Sequence, residues 1–138
     1  MKIAVATDDG ESIRKNHFGS SRYYQIIEIL NGEIVKKELR RNPFAETEDE
    51  SHSHGQADTI LELLEDCSLF IGRSMGKKSV AAITAMQIDC IITKFETIDI
   101  AIERYMEGDG REFKVYDADA GKFISCRDRE IKMGLVCN

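Results

Sequence analysis

Tyr23-Tyr24-Gln25-Ile26-Ile27-Glu28-Ile29-Leu30-Asn31-Gly32-Glu33-Ile34-Val35-Lys36-Lys37-Glu38-Leu39 holds two runs of β-forming residues separated by Asn-Gly. Both positions of a two-residue hairpin turn need positive φ, which Asn and Gly tolerate best. The two runs are therefore expected to pair as antiparallel neighbours. Upstream, Lys2-Ile3-Ala4-Val5-Ala6 is non-polar on both faces, as in a central strand covered on both sides. Downstream, strands and helices alternate. Ser53-His54-Gly55-Gln56 has capping-box spacing and opens a helix in which Ala57, Ile60, Leu61 and Leu64 recur at helical period. Residues 67–71 read as a short buried strand, 77–86 as a helix rich in small residues, and 88–93 as another strand. A last helix over 97–108 puts Ile98, Ala101, Ile102 and Tyr105 on one face, with Thr97 as N-cap and Gly108 as its stop. Residues 113–126 read as a hairpin that turns at 118–121.

Antiparallel strands followed by βα units predict an α/β fold, with one mixed five-stranded sheet and helices on both faces. Right-handed crossovers place the fourth and fifth strands beside the first, so the order is 3-2-1-4-5, similar to ribonuclease H-like three-layer folds. Residues 1–108 form this α/β domain. Residues 109–138 are a C-terminal extension, a β-hairpin expected to pack on the same domain.

The 138 residues carry a net charge of -6 and no Lys/Arg-rich face, which argues against nucleic-acid binding. No apolar run is long enough to span a membrane, and the N-terminus lacks the pattern of a secretion signal. A cytoplasmic protein with reduced thiols is expected, as a monomer or weak homodimer. Cys67, Cys90, Cys126 and Cys137 are scattered and form no Cys-x-x-Cys pair. Cys67 and Cys90 lie in apolar runs and read as small buried hydrophobes.

Ligands of open α/β sheets gather beyond the carboxyl ends of the strands, where the connections diverge. Here that crevice lies between the first and fourth strands. It brings the loop holding His17-Phe18-Gly19 to face the turn Gly72-Arg73-Ser74-Met75-Gly76. Neutral imidazole is a common transition-metal ligand, so His17 is a candidate, and Gly19 would let the chain turn tightly after Phe18. Gly72 to Ser79 is one residue short of a phosphate-binding loop between its glycines, which excludes a nucleotide triphosphatase of that type. What remains is a glycine turn opening a helix, with Arg73, Lys77 and Lys78 adding positive charge, a setting that suits an anion. His52 and His54 flank Ser53 in an acidic loop and are further candidate metal ligands. Asp117 to Gly121 lacks the full calcium-loop pattern. No nucleophile–base pair is visible, so the protein is expected not to be an enzyme. A metal-dependent nuclease would need Asp8, Asp9 and a further acid such as Glu28 gathered around two metals.

Met1-Lys2-Ile3-Ala4-Val5-Ala6-Thr7-Asp8-Asp9-Gly10, His17-Phe18-Gly19, the Asn31-Gly32 turn, Asn42-Pro43, Ile71-Gly72-Arg73-Ser74-Met75-Gly76 and Glu96-Thr97-Ile98 through Gly108 follow in a characteristic order. Over residues 1–108 they resemble the dinitrogenase iron–molybdenum cofactor biosynthesis family. The resemblance implies a ribonuclease H-like carrier, linked to nitrogen fixation, that binds an iron–sulfur cluster, or iron–molybdenum cofactor or its precursor. Such a carrier escorts its cargo between metallocofactor assembly proteins. The resemblance also implies that His17 is a cluster ligand, and it sets His52 and His54 where many relatives carry a His/Gly-rich loop. Phe18, Gly19, Gly72, Arg73, Ser74, Met75, Gly76 and Lys77 would complete the cofactor-binding crevice. The alternative is a non-catalytic module that binds a small anion or a protein partner in the same crevice.

Overall fold

Lys2–Thr7 (β1) is the strand around which the sheet is assembled. Its side chains alternate between two buried layers, Ile3 and Val5 entering one and Ala4 and Ala6 the other. The structure, a computed structural model, describes residues 1–43 and 56–126. Tyr23–Leu30 (β2) runs antiparallel to β1, and Glu33–Arg41 (β3) antiparallel to β2. Asn31 (φ 54°) and Gly32 (φ 79°) both adopt the left-handed conformation that the hairpin turn requires.

After Gln56–Leu63 (α1), the strand Leu69–Gly72 (β4) enters parallel to β1 on its free side. Lys77–Ala85 (α2) then leads to Asp89–Thr93 (β5), which is parallel to β4. Ile98–Met106 (α3), Phe113–Asp117 (β6) and Lys122–Ser125 (β7) complete the described chain. The sheet order is β3-β2-β1-β4-β5-β6-β7, which contains the expected 3-2-1-4-5. On one face, Ile98, Ala101 and Ile102 of α3 pack on Ile3, Val5, Ile71 and Ile91. On the other, Ile60 and Leu64 from the α1 region and Val80 and Ile83 of α2 pack on Ala4, Tyr24, Phe70 and Cys90. The result is the expected three layers. Among the described residues, no helix is long and apolar enough to cross a membrane.

The sheet departs from expectation in being larger than five strands. The hairpin beyond residue 108 pairs with β5 in antiparallel register, Ile91 with Val115 and Thr93 with Phe113, and so continues the sheet. Strand four was expected over 67–71, but Gly72 is its last residue and pairs with Ile92. Cys67 instead lies buried in the preceding connection. Thr97 occupies the N-cap position of α3 without a side-chain cap. The amide of Ile98 donates to the Glu11 carbonyl at 2.9 Å, so the loop after β1 serves this helix start. The proposed capping box at Ser53 falls outside the described residues.

One ion-pair network ties β3 to the chain end of α1. The guanidinium of Arg40 donates through Nη1 to the Leu63 carbonyl (2.8 Å) and to Asp66 (2.9 Å), and through Nη2 to Glu38 (2.6 Å). Lys2 donates to Asp66 from β1 at 3.1 Å. Hydrogen bonding from Arg40 is the main force holding the Asp66 carboxyl well below its ordinary value. A depressed carboxylate stabilises the fold above its unfolded pKa of about 3.9, and that stability is lost as pH falls toward the folded value. We therefore expect Asp66→Asn to cost about 1 kcal/mol at pH 7, the figure being discounted for the partial exposure of the pair. In urea titrations across pH, the gap from wild type should close progressively below about pH 4. A gap that stays constant down to pH 2 would exclude this linkage.

Candidate functional site

The chain leaves the sheet after buried Thr7 through a loop braced by its own acids. Thr7 Oγ1 accepts the amide of Gly10 at 2.9 Å. Asp9 Oδ1 accepts the amides of Ser12 (2.7 Å) and Glu11 (2.8 Å), bonds that lower the Asp9 pKa. Asp8 accepts from Arg14 Nη1 (2.7 Å) and from the amide of Arg22 (2.9 Å), while Arg14 Nε donates to the His17 carbonyl (3.1 Å). Asp8 and Arg14 thus fix the approach to His17.

Phe18–Ser20 forms a short 3-10 turn whose first ring is buried. The Phe18 ring stacks on Phe70 of β4, with centroids 5.0 Å apart and planes at 15°, and lies 5.0 Å from the ring of Tyr24. The Tyr24 hydroxyl donates to the Phe18 carbonyl at 2.7 Å, and burial pushes the phenol above its ordinary pKa. Asn42, itself buried, donates through Nδ2 to the carbonyls of Ser21 (2.9 Å) and Gly19 (3.3 Å). The amide of Phe18 donates to the Ser74 carbonyl at 3.0 Å. That single backbone bond joins the 17–19 segment to the 72–76 turn.

The expected convergence of these two segments is therefore present. His17 is exposed at the start of its turn; Arg73, Ser74 and Met75 are half-buried; Gly76 and Lys77 are exposed where α2 begins. The glycines act differently from expectation. A Cβ on Gly72 would meet the Phe18 ring at 3.2 Å, so the absence of a side chain there makes room for the ring. Gly19 and Gly76 have no atom within 4 Å of such a Cβ, and neither has positive φ. It is Tyr24 and Asn42, not a freedom peculiar to Gly19, that hold the turn. His52 and His54 lie outside the described residues.

Asp8, Arg14, Tyr24 and Asn42 are the supports that the sequence reading left unassigned. A buried Asn before the chain's single proline was their clearest local signal, whereas the Asp8–Arg14 pair depends on how the loop folds back. The nuclease arrangement is not assembled. Asp8 follows the last residue of β1, and Glu28 pairs with Lys2 at the strand's other end. Among the described residues, no three His, Cys, Asp or Glu side chains are grouped so as to hold a metal ion. Cys67 and Cys90 are buried, and burial pushes both thiols up to about 12.

This geometry has relatives. The chain is 28% identical over 116 residues to an uncharacterized protein of Methanocaldococcus jannaschii, covering 83% of this chain and 92% of the relative. A solved structure from the same organism, provisionally called a dinitrogenase, is similar with a TM-score of 0.61 at 20% identity; the match covers 85% of this chain and 95% of that one. The apo form of the orange protein of Desulfovibrio gigas is similar with a TM-score of 0.62 at 17% identity, over 78% of this chain and 88% of that one. At such identities the two structures establish a shared fold. The family described as dinitrogenase iron-molybdenum cofactor matches residues 1–108, the stretch that holds both the His17 turn and the 72–76 turn, and the chain belongs to that family.

Proposed function

We propose that the protein binds and carries an iron–sulfur or iron–molybdenum-type cluster, or its precursor, during metallocofactor assembly, without catalysing a reaction itself. The observation that carries this reading is the Phe18–Ser74 backbone bond. It sets an exposed imidazole, His17, next to a turn that opens a helix N-terminus flanked by Arg73 and Lys77. Clusters of this kind are anionic, and free helix amides with adjacent cations favour an anion.

The ligand inventory agrees with transient holding. Stable clusters usually use four cysteine thiolates. Among the described residues Cys67, Cys90 and Cys126 are all buried, whereas His17 is exposed at the crevice and is the candidate ligand there. A cluster held by few protein ligands stays transferable to assembly proteins. A cytoplasmic setting, and a link to nitrogen fixation, belong to the same reading. A second reading, a module that binds a different small anion or a protein partner in the same crevice, draws on Arg73, which forms no ion pair with any described residue. It predicts ligand-induced thermal stabilisation without iron uptake.

Anaerobic titration of the apo-protein with a reconstituted iron–sulfur cluster, followed by visible absorption and iron analysis, tests carriage directly. Wild type should take up the cluster stoichiometrically, and His17→Ala should weaken uptake about tenfold or more while leaving the thermal midpoint unchanged. Equal uptake by both proteins removes His17 from the site, and no uptake by wild type removes the cluster. Gly72→Ala should displace the Phe18 ring, destabilise the fold by about 1–3 kcal/mol and reduce uptake. Gly76→Ala, with open space around it, should leave the urea midpoint near that of wild type. Equal stability of the two variants would show that Phe18 does not depend on the bare backbone at Gly72.

A further inference from the structure

Gly72, Ile92, Lys114 and Ser125 are successive register partners across β4, β5, β6 and β7. Partners in register point to the same face of a sheet. These four share the face of Phe70, Cys90, Tyr116 and Phe123, the one that α1 and α2 cover. Phe18 occupies the space above Gly72. On the far side of that ring from β1 the row continues into a second cavity of about 310 Å³, lined by Arg73, Lys94 and Lys114 among others. That volume is at the small end of the range of about 300–1,000 Å³ typical of small-molecule sites.

The charge of this cavity runs against that of the whole chain, which is -6. Three cations line it against one carboxylate, Glu112, and none of the three cations forms an ion pair or hydrogen bond with a described residue. Thr93 is held in place: its hydroxyl donates to the Glu112 carbonyl at 2.9 Å and accepts the Phe95 amide at 3.2 Å. Glu112 itself has φ 66°, a left-handed residue that turns the chain into β6 and brings Lys114 level with Ile92. Strands lie about 4.8 Å apart, so Lys114 stands about 10 Å from Gly72, a gap that lysine and arginine side chains can bridge around one small ion.

We infer that Arg73, Lys94 and Lys114 form a binding pocket for a doubly charged tetrahedral oxyanion, either free or as a phosphate ester. The pocket is separate from the His17 crevice and shares with it only Arg73. Lys114 comes from the hairpin beyond residue 108, outside the stretch that defines the family. The pocket goes beyond cluster carriage and does not depend on it, because its readout needs no cluster.

The test is isothermal titration calorimetry of the intact protein in low-salt buffer with sodium phosphate, sulfate, molybdate and, separately, adenosine monophosphate. One-site binding of a dianion is expected, weakened about tenfold in Lys94→Gln and in Lys114→Gln, as loss of one charge-assisted hydrogen bond implies. Glu112→Gln should tighten it, and added sodium chloride should weaken it. Both lysines are exposed, so thermal midpoints of the variants should match wild type, and cluster uptake by Lys114→Gln should be unaffected. Binding of the monophosphate at least as tight as phosphate assigns the site to an ester; binding of phosphate alone assigns it to the free ion. No saturable heat with any of the four ligands, or affinities unchanged in both lysine variants, overturns the inference.

Discussion

The Phe18 ring lies on the backbone of Gly72, with Phe70 stacked beneath it and Tyr24 at its side. Burial of one aromatic ring contributes about 1.5–3 kcal/mol, comparable to a large share of a domain's net stability. What matters more is where the ring sits. It plugs the point at which β1 and β4 part, so the two loops leaving those strands are held against each other and not left to move apart. The Tyr24 hydroxyl and the Asn42 amide then take up carbonyls of the 18–21 turn that would otherwise be buried without partners. His17, immediately before the ring, is positioned as a consequence of that packing.

Much of this was legible in the chain. The Asn31-Gly32 turn, the two-faced apolar run of β1 and the shift to strand–helix alternation were enough for the sheet order, because each is a local signal with one structural outcome. The same topology brought the His17 and 72–76 segments together. What the sequence did not disclose depends on distant partners. Gly72 looks like the start of a turn until Phe18 is placed over it. Thr97 looks like an ordinary cap until Glu11 is found to serve the amide of Ile98. Residues 113–126 show a hairpin by pattern, but nothing local says which strand that hairpin will join. The cations of the second cavity come from three separate segments, and only the register of β4, β5 and β6 makes them neighbours.

The distribution of charge follows from the same architecture. An acidic chain is poorly suited to collect anions over its whole surface. Here the acids near the strand ends are spent on internal bonds, Asp8 on the Arg14 guanidinium and the Arg22 amide, Asp9 on the amides of Ser12 and Glu11. Arg73, Lys77, Lys94 and Lys114, which lie near the carboxyl ends of β4 and β5, form no ion pair with a described residue. The local field at that edge is set by which charges are neutralised at short range, and the net charge of the chain says little about it.

The union of β6 with β5 also bears on self-association. A strand with an unsatisfied row of amides and carbonyls is a template on which another chain can lay its own strand. β5 would present such a row if the sheet stopped there, and in this chain the row is filled from within. Cross-chain strand addition at that position is closed before any second molecule arrives. Among the described strands the outer positions fall instead to β3 and β7, so any strand added from a second chain would lie away from the loops beside β5.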